Sequence, residues 1–396
     1  MTAKTLNIPA GTYGIVAPIQ SLFQRGRKPT ESLVLSRSTR TWPKTHTARY
    51  APRSGHALDG FFGVDQDNNV VQAALSYEDL GWSRRNDSFT ENESDLSLVG
   101  LIDVPAASTG EYRLFLLSMQ NKDELLFVLA DTWISEGFSQ RELLERMCAF
   151  SSPVKHSIVS HNGRHLVYHK GVELEQKIQV QSPHSAFQLA RTFFGLAPDF
   201  GHPALHLEFL SEWQTYLRQV DLFERFSEGQ GTGYVAFTLL PDGQLMVKEK
   251  GFLEDGLHRS ERFVELLSRD THLGTYLDTR FPDSSFEYRG RFDRWKFDFN
   301  VEFLTSGHIF SVGFDEVYAG DDCLKQVEIE YIRSRIHYGY ESQAPQVEAD
   351  LAHLSNHLLQ LLHDGGVTAE LTHLSKLSFL RMRQAGQPVQ PWRPHA

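Results

Sequence analysis

Two short segments of the sequence carry glutamates at alternate positions. Glu173 and Glu175 lie in GVELEQKI, and Glu328 and Glu330 lie in QVEIEYIR. Alternate residues of a β-strand point to the same face, so each segment places two carboxylates side by side, opposite apolar residues. Like charges on one face repel unless a cation lies between them. One such strand is most simply a solvated face, whereas two strands meeting in a barrel would concentrate carboxylates for Mg²⁺ or Mn²⁺.

Basic residues alternate in the strands predicted between and beside these segments. Taken singly, each of them is most simply an ordinary exposed charge. Facing one interior together with the glutamates, they predict a site for a metal-complexed polyanion, above all a triphosphate, because metals and Lys/Arg neutralise phosphoryl charge. The basic residues are Lys177, Lys248, Lys250, Arg289, Arg291 and Arg333, with Arg294, Lys296 and Arg335 following in the same strands.

Length and charge exclude several other classes of protein. The 396 residues predict two or three domains. A net charge of −11 makes the chain a poor general binder of nucleic acid, so we expect a small-molecule partner. Two cysteines cannot form a disulfide framework or a Cys-rich zinc site. No signal peptide or bilayer-spanning stretch is predicted, so we expect a cytoplasmic protein with no membrane partner.

The pattern of short apolar runs divides the chain into two predicted domains and a tail. Residues 1–150 predict a β-rich domain of unknown role, with hairpins at about 65–69 and 120–123 and a loop over 35–55. Ser139 and Glu142 predict a capping box at the start of a helix. Residues 151–386 predict the second domain, and the proline-containing residues 387–396 predict a loose tail.

The second domain mixes predicted strands with predicted helices. A strand is predicted over 165–180, a hairpin around Pro241-Asp242-Gly243, and mostly strand over 285–335. Apolar residues recur at spacings of 3 and 4 from Phe209 to Phe223, which predicts a helix there. Further helices are predicted over 184–195, 261–267, 346–363 and 368–383.

Residues of about 165–382 resemble the CYTH, or triphosphate tunnel metalloenzyme, superfamily. The ExExK signature of its first tunnel strand matches Glu173-Leu-Glu-Gln-Lys177. Its late aspartate before a turn and glycine is similar to Asp315 through Gly320, and its closing ExE is similar to Glu328-Ile-Glu330. A helix, a glycine turn and a Ser-Lys segment often follow in the family, and Ser375-Lys376 is similar.

The resemblance implies an α+β fold built on an antiparallel eight-stranded β-tunnel with a polar interior and flanking helices. It implies catalytic roles for Glu173, Glu175 and Lys177. It also implies one or two Mg²⁺ or Mn²⁺ ions, held by Glu173, Glu175, Asp315, Glu328 and Glu330. Phosphates would be gripped by Lys177, Lys248, Lys250, Arg289, Arg291 and Arg333.

Three functions stay open at this point. The leading expectation is a hydrolase of inorganic, nucleoside or thiamine triphosphate. An adenylate-type cyclase on the same scaffold and a catalytically silent nucleotide or polyphosphate binder are the alternatives. The family's Arg-x-Arg strand soon after ExExK has no match in Tyr234–Leu240, which favours a specialised or silent site. A homodimer is also compatible with the sequence.

Overall fold

The computed structural model divides the chain into two compact units. One comprises Met1–Val167, Leu304–Gly307 and Ser334–His337, and the other comprises the rest. No helix in the described ranges is long and apolar enough to cross a membrane. The structure describes residues 8–18, 33–38, 46–50, 58–65, 67–73, 96–107, 109–120, 124–147, 166–167, 171–209, 211–227, 231–252, 256–335 and 343–386.

The first unit contains an eight-stranded antiparallel sheet, in the order β3-β8-β7-β6-β1-β2-β4-β5. Its core is apolar and includes the fully buried Ile15, Leu101 and Phe115. Residues 140–147 form helix α1, and Ser139 caps it by accepting a hydrogen bond from the Glu142 amide at 3.3 Å. The strands are β1 Gly11–Pro18, β2 Leu33–Ser38, β3 Thr47–Tyr50, β4 Leu58–Val64, β5 Val70–Gln72, β6 Leu96–Val104, β7 Gly110–Gln120 and β8 Leu125–Ser135.

Both hairpins predicted in this region are confirmed, since β4 pairs with β5 and β7 pairs with β8. The loop predicted over 35–55 is wrong in part, because β2 and β3 lie in that range. All four residues of Thr47–Tyr50 are buried, including Arg49. Polar composition suggested a loop, but pairing with β8 satisfies this backbone as a strand.

The second unit is built around a closed antiparallel barrel of eight strands. The strands follow one another around the barrel as β10-β15-β14-β13-β12-β16-β17-β18, and β18 pairs back with β10 to close it. The predicted eight-stranded barrel is therefore confirmed, although the chain as a whole is mostly β. The barrel strands are β10 Val172–Gln181, β12 Gln214–Ser227, β13 Gly231–Leu239, β14 Leu245–Phe252, β15 His258–Leu267, β16 Ser284–Phe303, β17 His308–Ala319 and β18 Asp322–Arg335.

Short strands and four helices complete the second sheet and its surroundings. The apolar side of α5 carries Leu377 and Leu380, which cluster with Val220, Leu222 and Phe292 of the barrel. The short strands are β9 Leu166–Val167, β11 Leu205–Leu207 and β19 Thr368–Thr372, which pair with β18, β16 and β10. The helices are α2 Ala186–Phe194, α3 Leu273–Arg280, α4 Ala344–Asp364 and α5 Lys376–Gln384.

Three helix predictions are wrong. The residues expected to form a helix over 209–223 lie largely in β12, and those over 261–267 lie in β15. The range 368–383 contains β19 before α5 begins. In β12, Val220 and Leu222 pack with α5, whereas Phe223 packs on Phe237. Apolar residues thus occupy both faces of this strand, which imitates the spacing of a helix.

Candidate functional site

The two glutamate segments are neighbours in the closed barrel. In the β10–β18 pairing, Glu175 is opposite Glu330 and Lys177 is opposite Glu328. Residues directly opposite each other in an antiparallel pair share a face, so these four side chains lie on one face of the sheet. Glu175 and Lys177 are only 5% and 2% exposed. The side chains expected to do chemistry are therefore brought together inside the barrel.

The first cluster of charges surrounds Glu328 and is called the Glu328 cluster. Arg294 Nη2 lies 2.5 Å from Asp315 Oδ2 and 2.6 Å from Glu328 Oε2. Lys376 Nζ donates to Asp315 Oδ2 at 2.8 Å and also bonds to Glu328. Lys177 Nζ lies 3.5 Å from Glu328 Oε1. Two carboxylates thus face three cations from three different elements of the fold.

This arrangement decides the protonation of the cluster. Burial by itself would raise the pKa of Glu328, but Lys376, Arg294 and Lys177 hold that pKa well below its ordinary value. Burial opposes the charge on Arg294 as well, yet Asp315 and Glu328 raise its pKa. For Lys376, burial outweighs the same two carboxylates and lowers the pKa. Glu328 is therefore a carboxylate at neutral pH.

The second cluster lies around Lys250 and is called the Lys250 cluster. Lys250 Nζ lies 2.6 Å from Glu173 Oε2 and 2.5 Å from Glu261 Oε2, while Lys248 Nζ donates to Glu261 at 2.7 Å. Burial would raise the pKa of Glu261, but Lys250 and Lys248 lower it to about 2. Burial disfavours the charge on Lys250, but Glu173 raises its pKa well above the ordinary value. Both predicted lysines therefore line the interior, each in an ion pair with a glutamate.

Glu330 differs from the other three glutamates. It makes no ion pair and no side-chain hydrogen bond within the described part of the chain. Burial, together with the nearby charges of Glu173 and Glu175, raises its pKa to about 7, although Lys296 and Lys250 oppose this. Glu330 is thus a partly buried acid whose negative charge has no ion-pair partner among the residues that the structure describes.

Some charged residues of the interior had no role assigned from the sequence. Arg294 and Lys296 were noted among the basic residues of the predicted strands but not as phosphate ligands, and they lie on one face of β16, in the run RFDRWKFD. Lys376 comes from the start of α5, and only its Ser-Lys context hinted at it. Arg259 lies 3.9 Å from Glu175 and donates to the His373 carbonyl at 2.8 Å. No local sequence signal indicated Arg259.

Three predicted phosphate ligands form their ion pairs with carboxylates outside both clusters. Arg289 binds the buried Glu224, which also pairs with Arg381 of α5. Arg291 is 55% exposed and pairs with Asp221 at 2.8 Å. Arg333 pairs with Glu208.

A bulge in β16 explains the position of Arg291. Leu222 pairs with Gly290 and Phe223 pairs with Tyr288, so residue 289 is an extra residue in this strand. Beyond the bulge, Phe292 packs with α5 in the barrel cluster. Arg291, next to it, must then point to the opposite face of the sheet.

The interior matches the chemistry of a hard divalent cation, but its side chains are not arranged around one. Within the ranges described, no three His, Cys, Asp or Glu side chains form a group that could hold a metal ion. Carboxylate oxygens are nevertheless the ligands that Mg²⁺ and Mn²⁺ prefer. Among the described residues, Glu330 makes no ion pair, and the buried Asp315 Oδ1 has no hydrogen-bond partner. Metal binding would require Glu173 and Glu175 to move from their cation partners.

Comparison with known proteins gives no family. No protein-family model matches the chain, and no curated protein matches it. Among solved structures, the chain is similar to the PH1819 protein of Pyrococcus horikoshii OT3. The two are 14% identical over 53% of this chain and 99% of that chain, with a TM-score of 0.33.

Two other solved structures are more distant. The S. pombe Pct1 RNA triphosphatase in complex with the Spt5 CTD is 11% identical over 50% of this chain and 84% of that chain, with a TM-score of 0.26. The di-domain ARO/CYC StfQ from the steffimycin biosynthetic pathway is 9% identical over 95% of this chain and 99% of that chain, with a TM-score of 0.16. TM-scores this low support no functional inference, which has to come from the residues of the barrel.

Proposed function

We propose that this protein is a metal-dependent phosphohydrolase that cleaves a triphosphate inside the barrel of the second unit. The observation that supports the proposal is the concentration of paired acids and bases on the inner face of one closed barrel. Burying so many charges is costly unless each of them is paired. An interior with this many charges is expected when the charges bind a charged ligand.

A metal–triphosphate complex suits this interior because it carries charges of both signs. The anionic phosphates can replace carboxylates as partners of the cations, and the divalent cation can accept the carboxylates that are released. Solvent reaches the interior, since the side chains of Lys248 and Arg294 are 35% and 27% exposed. Binding would then exchange ion pairs instead of creating unpaired charges.

The residues divide into two proposed roles. Glu330, Glu173 and Glu175 would hold Mg²⁺ or Mn²⁺, which when bound supplies Lewis-acid polarisation of a phosphoryl oxygen and a more acidic water. Lys250, whose pKa is well above the ordinary value, stays charged and stabilises negative charge on the phosphates. The other proposed phosphate ligands are Lys177, Lys248 and Arg294. Arg289, Arg291 and Arg333 receive no role in this set because they pair elsewhere.

The proposal is tested by identifying the products formed by the purified full chain with Mg²⁺ or Mn²⁺. Inorganic triphosphate, ATP, GTP and thiamine triphosphate would be offered, with orthophosphate, pyrophosphate and cyclic nucleotide measured together. We expect orthophosphate release that is lost in Lys250→Ala. Arg291→Ala is the matched control, because it removes one positive charge outside both clusters and should leave turnover unchanged.

A catalytically silent binding protein is the second candidate. It is favoured by the ion pairs that already occupy Glu173, Glu175, Asp315 and Glu328, since a binder needs no metal. Binding of a triphosphate without release of any product would support this candidate and contradict the hydrolase. Pyrophosphate together with a cyclic nucleotide would instead identify a cyclase.

A further inference from the structure

Three histidine rings meet where the turn between α2 and β11 packs against α4. The ring centroid of His202, in this turn, lies 4.8 Å from that of His353 and 5.2 Å from that of His357. His353 and His357 are four residues apart on α4, so they share one face of the helix. These three residues are called the His202 cluster. None of them belongs to the Glu328 or Lys250 cluster.

The hydrogen bonds of the turn require His202 to be neutral. The Ala204 amide donates to Nδ1 of His202 at 3.2 Å, so this nitrogen carries a lone pair and no proton. Because a charged imidazole has a proton on both nitrogens, uptake of a proton would break this hydrogen bond. His357 Nε2 donates to the Phe200 carbonyl at 2.9 Å, since a carbonyl oxygen can only accept.

The surroundings of His202 also oppose a positive charge. Partial burial lowers the pKa of His202, and His353 and His357 lower it further. On its other side, the His353 ring packs on Phe303 of β16, at 5.8 Å between centroids, and this neighbour carries no charge. A proton on one of the three rings therefore makes a proton on the next less favourable.

The other titratable groups of these elements have partners of their own. Asp199, in the same turn, accepts a hydrogen bond from the amide two residues on at 3.0 Å. Asp350 of α4 binds His308 of β17 at 2.8 Å, and His206 of β11 directs Nδ1 to the next carbonyl at 3.1 Å. Among the described residues, no carboxylate forms an ion pair with the His202 cluster.

The turn that the cluster holds contains a strained residue. Phe200 has a φ of +53°, a left-handed conformation that is uncommon for a bulky side chain. Its ring is 2% exposed and stacks on Phe299 of β16, and its carbonyl accepts from His357. Such conformations persist only where the surroundings hold them. The turn leads into β11, which pairs Leu205–Leu207 with residues 301–303 of β16, so its release would reach a barrel strand.

We propose that the His202 cluster is a pH-sensitive switch, in which proton uptake by His202 breaks its bond to the Ala204 amide and releases residues 198–207 from α4. The charged ring is also repelled by His353 and His357 once they are protonated. Because the folded-state pKa of His202 is lowered, the released turn binds the proton more tightly than the docked turn. Docking is therefore stable above about pH 6.5 and weakens as pH falls below it. This inference does not depend on the proposed phosphohydrolase.

Hydrogen–deuterium exchange of the full chain at about pH 7.5 and about pH 5 tests the switch, with rates corrected for the intrinsic effect of pH. The Leu207 amide donates to the Pro198 carbonyl at 2.7 Å, so the peptide covering 198–208 reports release of the turn. In the wild type, protection of this peptide should fall about fivefold at the lower pH, the effect of losing one hydrogen bond.

His202→Asn separates the switch from other acid effects. An asparagine oxygen can accept from the amide two residues on but takes up no proton in this pH range, so protection should be equal at both pH values. His363→Gln is the matched control. It removes an exposed α4 histidine that bonds to the Ala369 carbonyl outside the cluster, and it should behave like the wild type.

Two exchange results would overturn the inference. One is equal protection of the wild-type peptide at both pH values, and the other is an acid-induced fall that His202→Asn shares. If circular dichroism shows that His202→Asn does not fold, the ring signals of the wild-type histidines, titrated by nuclear magnetic resonance, decide instead. His202 should then titrate at lower pH than His363, and titration at the same or higher pH would contradict the switch.

Discussion

Glu328 and Glu330 lie two residues apart on the same face of β18, yet their surroundings are opposite. Cations from β10, β16 and α5 surround Glu328 and hold its pKa well below the ordinary value. Burial and the neighbouring Glu173 raise the pKa of Glu330 to about 7. The balance of charge therefore reverses over roughly 7 Å, the rise of two residues in a strand.

The comparison shows that an ExE pattern by itself does not define a site. Both glutamates follow from the same alternation, and nothing in the local sequence distinguishes them. Arg294 and Lys376 reach Glu328 from elements that are 34 and 48 residues away in the chain. What each carboxylate does is thus determined by the strands and the helix that the closed barrel brings to it.

The largest expected effect is the loss of stability in Glu328→Gln. Removing this charge leaves Arg294 and Lys376 with Asp315 as their shared counter-charge in a buried site, while Lys177 keeps its ion pair with Glu175. We expect the free energy of unfolding to fall by about 3–5 kcal/mol at pH 7, as when one partner of a buried ion pair is deleted. Urea unfolding would measure it, and a loss below 1 kcal/mol would contradict the cation-rich surroundings assigned to Glu328.

Glu330→Gln should change stability in the opposite direction and only at higher pH. The folded-state pKa of about 7 is above the ordinary 4.5, so the folded protein holds this proton more tightly than the unfolded chain. Ionising Glu330 therefore costs stability progressively as pH rises from about 4.5 to 7. The amide removes that cost, so Glu330→Gln should be more stable than wild type by roughly 2–3 kcal/mol at pH 8 and nearly equal to it at pH 4.5.

Urea unfolding of wild type and Glu330→Gln at both pH values checks this, since groups remote from Glu330 titrate identically in the two proteins. The same stability difference at pH 4.5 and pH 8 would contradict the raised pKa. A variant that is less stable at pH 8 would show that Glu330 has a cation partner after all.

The smallest expected effect is that of Arg291→Ala, the control outside both clusters. Its ion pair with Asp221 involves a guanidinium that is 55% exposed. Such pairs contribute about 0–1 kcal/mol and are weakened by salt. Urea unfolding at low and high salt should show a loss of stability within that range. A loss as large as that of Glu328→Gln would place Arg291 in the buried network.

Much of the fold followed from patterns within single segments. Alternating apolar residues and turn residues predicted the barrel strands β10, β13, β14 and β16 to β18. Helices were also predicted over 184–195 and over 346–363, the latter ended by Gly365-Gly366, and the structure confirms them as α2 and α4. The strand β12 was predicted as a helix because apolar residues occupy both of its faces, and β15 was also predicted as a helix.

The sequence by itself determined which residues could bind a charged ligand in the barrel. ExExK and ExE identify Glu173, Glu175, Lys177, Glu328 and Glu330, because strand alternation depends only on local backbone geometry. The tertiary structure alone decided which of these carboxylates has cations around it and which does not. Barrel closure, the bulge at Arg289 and the entry of α5 with Lys376 join residues far apart in the chain, and electrostatic interactions depend on those distances in space.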